Sequence, residues 1–295
     1  MSSESTQLIS AQGYDTSRMI FSEPQIGSIP DSKPAITYKR INIQTQNDDG
    51  SFGDLILSTD ELYSFGVSES TNIETGKVNG YSMALCLYNK DGARPSEKAF
   101  VETFNNIVEK CKDYLIENKE ELDQYDLEKS DLKKFNPLYY KKVGGKVVDG
   151  ASPTLYAKLI VSKKQDKIIT VFFDKESGET MDALSLLGKY CNVRAAIKIE
   201  SIFIGNKISL QVKLYECEVK VINYGMKRLL SRPESGSGHL LNVPVKKQQV
   251  PLSMDDDDSG SLIDDDNFDD DVQLEESIKT VPKKVVKKVV KKVAK

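Results

Sequence analysis

Between positions 133 and 146, five lysines crowd around three aromatic residues: Lys133, Lys134, Lys141, Lys142 and Lys146 beside Phe135, Tyr139 and Tyr140. Pro137 and the pair Gly144-Gly145 interrupt any regular helix there. Cations next to rings are what a single-stranded nucleic acid requires. Ammonium groups track the phosphates, and ring faces stack bases at about 1–3 kcal/mol each. Residues of the same two kinds recur along strand-like segments: Tyr156, Lys158, Arg194, Lys198, Lys207, Lys213 and Tyr215. Taken singly, Tyr156 and Tyr215 are as readily core residues as binding ones, because alternation alone does not say which face is buried.

Other chemistries find little support. The single histidine, His239, sits in the linker-like run SGSGHLL, which leaves no His-based triad and no two-His zinc site. No P-loop is present, and no glycine-rich fingerprint follows a strand. The aspartates of 254–276 lack the glycine and the ligand spacing of an EF-hand loop. The sequence therefore leads us to expect a non-enzymatic chain with no catalytic residues, no metal site and no cofactor.

The elements that must position the lysines and rings are mostly β. The stretch 191–222 reads as two strands joined at Ile204-Gly205-Asn206-Lys207, with Gly and Asn suited to positive φ. Ala195, Ile197, Ile199 and Phe203 alternate with Lys198 and Glu200. Ile208, Leu210, Val212 and Leu214 alternate with Ser209, Gln211, Lys213 and Tyr215. Such alternation predicts a half-buried antiparallel pair with one polar face. Further strands are expected at 36–43, 81–89, 154–161 and 167–173, a short helix at 180–190, and a loop-like stretch at 66–80. One helix is expected over 97–118, capped by Ser96, with Phe100, Phe104, Ile107, Val108, Cys111, Tyr114 and Leu115 on its apolar stripe.

Charge is segregated behind this body. The net formal charge is −4, yet residues 254–276 hold ten Asp and two Glu with no base, and 279–295 hold eight Lys with no acid. Blocks of this kind read as disordered interaction segments. The expected organisation is a flexible arm at 1–32, a nucleic-acid-binding domain at 33–228, a linker at 229–253, an acidic tail at 254–276 and a basic Lys/Val tail at 277–295. An acidic tail on a linker of about twenty residues reaches roughly 25 Å and can compete with nucleic acid for a cationic groove. Four widely spaced cysteines, no basic-plus-apolar leader and no run of eighteen apolar residues point to a reducing compartment, without secretion or a membrane span.

The run from 97–118 through LYYKKVGGK, TLYAKLIV and AAIKIESIFIGNKISLQVKLYECEVKV, followed by an Asp-rich tail, resembles the single-stranded-DNA-binding proteins of nucleocytoplasmic large DNA viruses. Those are similar to the replicative single-strand binder of short-tailed phages. The resemblance implies an α+β chain, mostly β, built on an OB-fold-like five-stranded antiparallel barrel. It implies single-stranded DNA as ligand, in viral DNA replication, recombination or repair. It implies contacts of the acidic tail with polymerase and helicase-primase, and homodimerisation. On this chain the tail corresponds to Asp255, Asp256, Asp257, Asp258, Asp264, Asp265, Asp266, Asp269, Asp270 and Asp271, with Phe268 embedded among them. The implied location is the host cytoplasm at viral replication sites, the nucleus, or the virion. In the phage proteins the acidic tail ends the chain, whereas here IKTVPKKVVKKVVKKVAK follows it. Two other readings stay open at this point, a virion or assembly scaffold and a single-stranded RNA binder.

Overall fold

A computed structural model describes residues 5–29, 36–72, 76–162, 165 and 167–222. The linker, the acidic tail with Asp255–Asp258, Asp264–Asp266, Phe268 and Asp269–Asp271, and the Lys/Val tail lie outside the described residues. The strands in chain order begin with β1 (Leu8–Ser10), β2 (Met19–Phe21), β3 (Gln25–Ile29), β4 (Ile36–Gln46), β5 (Phe52–Thr71) and β6 (Val78–Cys86). Helix α1 (Pro95–Glu117) follows. Then come β7 (Leu138–Tyr139), β8 (Lys142–Val143), β9 (Lys146–Val147), β10 (Thr154–Leu159), β11 (Val161–Ser162) and β12 (Lys167–Ile168). The last four are β13 (Val171–Asp174), β14 (Thr180–Met181), β15 (Cys191–Ile204) and β16 (Ile208–Val221).

The chain is mostly β, with one α-helix among the described residues. Twelve strands form one large sheet. Within it five strands pair in a circuit: β5 with β6, β6 with β10, β10 with β16, β16 with β15, and β15 with β5. The β10–β16 seam is parallel and holds only the pairs Lys158–Lys213 and Leu159–Leu214. Beyond the circuit the sheet continues through β13 and β14 on one side and β4, β2 and β3 on the other, so it is not a simple five-stranded barrel. The segment read as a loose arm supplies three of these strands. β1 pairs with β5, while β2 and β3 both pair with β4.

The hairpin at 191–222 forms as its alternation predicts, with Ile204 opposite Ile208. Its turn works differently from expectation. Neither Gly205 nor Asn206 has positive φ. Glycine is required because a Cβ at 205 would come within 2.7 Å of the Phe203 ring. Two register shifts change the faces. Glu200 is extra on β15, which sends Ile202 and Ile204 into the core. Phe203 instead lies against Tyr38 of β4, with ring centroids 5.0 Å apart. Tyr215 is the extra residue on β16, which brings Cys217 and Val219 into the core.

The stretch read as loop-like at 66–80 is largely strand. β5 runs to Thr71 past a bulge between Ser64 and Val67. The strand expected at 167–173 breaks at Thr170, whose hydroxyl donates to the Leu214 carbonyl (2.6 Å) and accepts from the Ile160 N–H (2.8 Å). The short helix expected at 180–190 is β14 followed by a single 3-10 turn, Ala183–Leu186.

Helix α1 begins at Pro95, so Arg94 and not Ser96 is the cap. A residue before proline is held extended, and proline at the first helical position loses no hydrogen bond. The predicted stripe is buried except for Tyr114, which stacks on Phe21 at 4.1 Å. All four cysteines are free thiols, and Cys111, Cys191 and Cys217 are buried.

Candidate nucleic-acid interface

Strand β10 carries the site because its alternation is strict. Leu155, Ala157 and Leu159 are buried, while Thr154, Tyr156 and Lys158 point the other way. Residues directly opposite in neighbouring strands share a face. Tyr139 of β7 lies opposite Thr154, Thr154 opposite Cys86 of β6, Cys86 opposite Tyr63 of β5, and Tyr63 opposite Asn192 of β15. With strands about 4.8 Å apart, the three steps from Tyr139 to Tyr63 span about 14 Å. Tyr156 stands diagonally beside Tyr139 on the same face. Tyr139 and Tyr156 keep 48% and 47% of their surface in solvent.

The Tyr156 phenol is raised above its ordinary pKa, first by burial and then by its neighbours Tyr139 and Cys86. Burial likewise raises the Cys86 thiol, against the opposing pull of Thr154 and Lys90. At neutral pH the face therefore presents uncharged rings, with its charge supplied by lysine.

A second ring cluster extends this face. Tyr63 meets Phe65 edge-on at 5.5 Å and lies near-parallel to Tyr190 at 6.1 Å, while Phe65 meets Tyr190 edge-on at 6.1 Å. Lys90 Nζ sits 4.4 Å above the Tyr63 ring. The bulge at Phe65-Gly66 makes the cluster possible. Gly66 has φ +85°, and a Cβ there would lie 2.4 Å from the Lys189 carbonyl oxygen. Only glycine lets β5 approach the segment carrying Tyr190 so closely. The loop bearing Lys90 is tied to α1 by buried Glu97, whose carboxylate accepts from the N–H groups of Arg94 (2.9 Å) and Asn89 (3.1 Å).

Just beyond Tyr139 the chain makes a small two-stranded ribbon, β8 and β9, around Gly144-Gly145. Both glycines have positive φ, +58° and +78°, as a two-residue hairpin turn of this twist demands. Lys141, Lys142 and Lys146 are exposed on or beside it, and Lys133 and Lys134 are exposed on the preceding 3-10 turn.

Several residues singled out in the sequence do not join this face. Phe135 is 2% exposed and belongs to the core, because it follows a turn that folds back onto α1, so it offers no ring to a base. Tyr140 faces away from Tyr139 and its hydroxyl accepts from Asn105 Nδ2 of α1 (3.2 Å). Lys213 is 3% exposed, between Lys158 and Lys198 in register. Lys198 forms an ion pair with Asp54 at 2.9 Å. Arg194 is exposed but lies between Glu218 and Glu61 in register. Lys207 is exposed in the hairpin turn, and Tyr215 is half-buried in its bulge. Conversely, Tyr63, Phe65, Lys90 and Tyr190 were not singled out. The spacing of Tyr63 and Phe65 two residues apart before a glycine is the signal that marks a ring pair on one strand face.

A family model described as a protein of unknown function (DUF2738) matches residues 13–256. The chain belongs to that family. It is 28% identical over 163 residues to "Uncharacterized protein 007R" of Invertebrate iridescent virus 3, covering 54% of this chain and 34% of the relative. It is also 28% identical over 164 residues to the "Early 31 kDa protein" of Frog virus 3, covering 55% of this chain and 62% of the relative. The matches thus span about a third and about three-fifths of these viral relatives. The resemblance to large-DNA-virus proteins holds at this level, as membership of a DUF2738 family with iridescent-virus and frog-virus relatives. Among the described residues no helix is long and apolar enough to cross a membrane, and no group of three or more His, Cys, Asp or Glu residues is placed to hold a metal ion.

Proposed function

We propose that the outer face of β5, β6 and β10 binds single-stranded DNA with little sequence preference and without catalysis. The observation that carries this reading is two groups of rings on one sheet face, exposed Tyr139 and Tyr156 at one end and the Tyr63–Phe65–Tyr190 cluster at the other, separated by Cys86 and Thr154, with Lys90 over Tyr63 and the lysines of the β8–β9 ribbon beyond Tyr139. Every base offers a π face, so such an arrangement is tolerant of sequence, and the lysines neutralise phosphates in passing. The circuit β5–β6–β10–β16–β15, with four antiparallel seams and one parallel, is read as a five-stranded OB-type unit with elaborations. Its second and third strands, β6 and β10, would then carry the ligand.

A role in viral DNA replication, recombination or repair is part of this proposal. One relative is named an early protein, which accords with a replication-stage role more than with a virion scaffold. The proposed partners of the acidic tail are replication proteins. The test is fluorescence anisotropy with a labelled dT oligonucleotide of about 30 nucleotides across a salt series. Wild-type protein is expected to bind, with log K falling by about 0.7 per phosphate neutralised for each tenfold rise in salt. Tyr139→Ala with Tyr156→Ala is expected to weaken binding by about 1–3 kcal/mol per ring. Unchanged affinity in a folded double variant rejects the face.

A further inference from the structure

The β8–β9 ribbon has a feature that single-strand stacking does not use. Val143, beside the turn, and Val147, at the other end of the ribbon, are 65% and 48% exposed, and every residue from Lys141 to Val147 is exposed. Lys142 lies opposite Val147, and Val143 opposite Lys146, so each face of the ribbon carries one lysine and one valine. An isolated two-stranded ribbon is marginal in water, and apolar side chains on both faces leave it no core of its own. Its chemistry is instead suited to a ligand met from both sides. A two-stranded ribbon fits the major groove of duplex DNA, where lysines reach phosphates and apolar groups meet the thymine methyl. The ribbon leaves the sheet at β7, whose Tyr139 lies opposite Thr154 at one end of the ring row.

We infer that the ribbon engages the duplex arm of a junction between single- and double-stranded DNA, while the ring row holds the adjoining single strand. The inference rests on the single-strand reading of the ring row and adds a preferred substrate to it. Charge selects this occupant. Lys141, Lys142 and Lys146 are exposed and no acid falls between 141 and 147, a basic projection complementary to the paired phosphate lines flanking a groove.

The test compares full-length protein on a dT strand and on the same dT strand continued into a 12-base-pair hairpin duplex. The wild type is expected to bind the tailed duplex about tenfold more tightly. Val143→Ser with Val147→Ser removes the branched methyls from both faces of the ribbon and is expected to remove that preference, leaving affinity for plain dT unchanged. Lys142→Gln with Lys146→Gln is expected to lower the salt slope on the tailed duplex by about 2. Equal wild-type affinity for the two substrates, or a preference that survives both variants, overturns the inference and leaves single-strand binding standing. Loss of self-association on sedimentation, with both DNA affinities unchanged, overturns it in favour of a protein contact. Failure to bind plain dT at all overturns the single-strand reading itself.

Discussion

The β15–β16 hairpin and the β7–β10 corner both carry lysines and aromatic residues on strands, yet the fold uses them in opposite ways. On the hairpin the charges are taken up by structure. Lys198 pairs with Asp54, Arg194 sits between Glu61 and Glu218, and Lys213 is nearly inaccessible. At the corner, Tyr139, Tyr156 and the ribbon lysines remain in solvent. The difference lies in neighbours. β15 and β16 each have partners on both edges, and β4 and β13 extend the sheet around them. At the corner β7 is a short edge strand and the ribbon projects from the sheet, while Tyr156 stands half-exposed on the outward face of β10, a strand paired on both edges. A polar strand face is a binding face only where the tertiary structure leaves it open.

The comparison can be broken most sharply at Phe135, which belongs to the lysine cluster in sequence but to the core in space. Phe135→Ala is expected to cost about 3–5 kcal/mol of stability in chemical denaturation. A variant that keeps wild-type stability and loses oligonucleotide affinity would return Phe135 to the binding face. Gly66→Ala comes next. It forces a positive-φ backbone and a 2.4 Å contact with Lys189, with an expected loss of about 2–4 kcal/mol and, in protein that stays folded, weaker binding through the displaced Phe65.

Asp54→Ala tests the other side. It leaves Lys198 largely buried without its carboxylate and is expected to cost about 1–3 kcal/mol of stability, with little change in oligonucleotide affinity in protein that stays folded. Tyr156→Ala should show the reverse pattern, with a stability loss of about 1 kcal/mol and clearly reduced binding. If both substitutions lowered stability and binding in parallel, the contrast between the two regions would collapse.

A change of pH tests the core behind both regions. Burial pushes the Cys191 thiol up to about 11, while its ordinary value is 9.0. A raised folded-state pKa means that the unfolded chain loses its proton first. The contribution of this group to stability is therefore complete below pH 9 and lost as pH rises toward 11. Thermal melts across that window should fall gradually, and Cys191→Ser should flatten that part of the decline. At the acid end, hydrogen bonds from Lys112 and Lys129 hold the Glu109 carboxyl below its ordinary 4.5. The stability it contributes is present above that value and lost as pH drops through the lowered one.

Much of the architecture was legible in local pattern. Period-two alternation marked β10, β15 and β16, and three- and four-residue spacing marked the buried stripe of α1. Pro137 and Gly144-Gly145 excluded a regular helix around the lysine cluster, where the fold makes a glycine-turned ribbon. These features are local because they follow from side-chain periodicity and from what glycine and proline permit. Tertiary structure alone decided which polar faces stay wet. One extra residue at Glu200 or at Tyr215 reverses every side chain beyond it, and alternation cannot announce a bulge. The ring row was hidden for a related reason. Tyr63, Cys86, Tyr139, Thr154 and Asn192 become neighbours only through strand pairing across sequence separations of tens of residues, a consequence of backbone hydrogen bonding and core packing together.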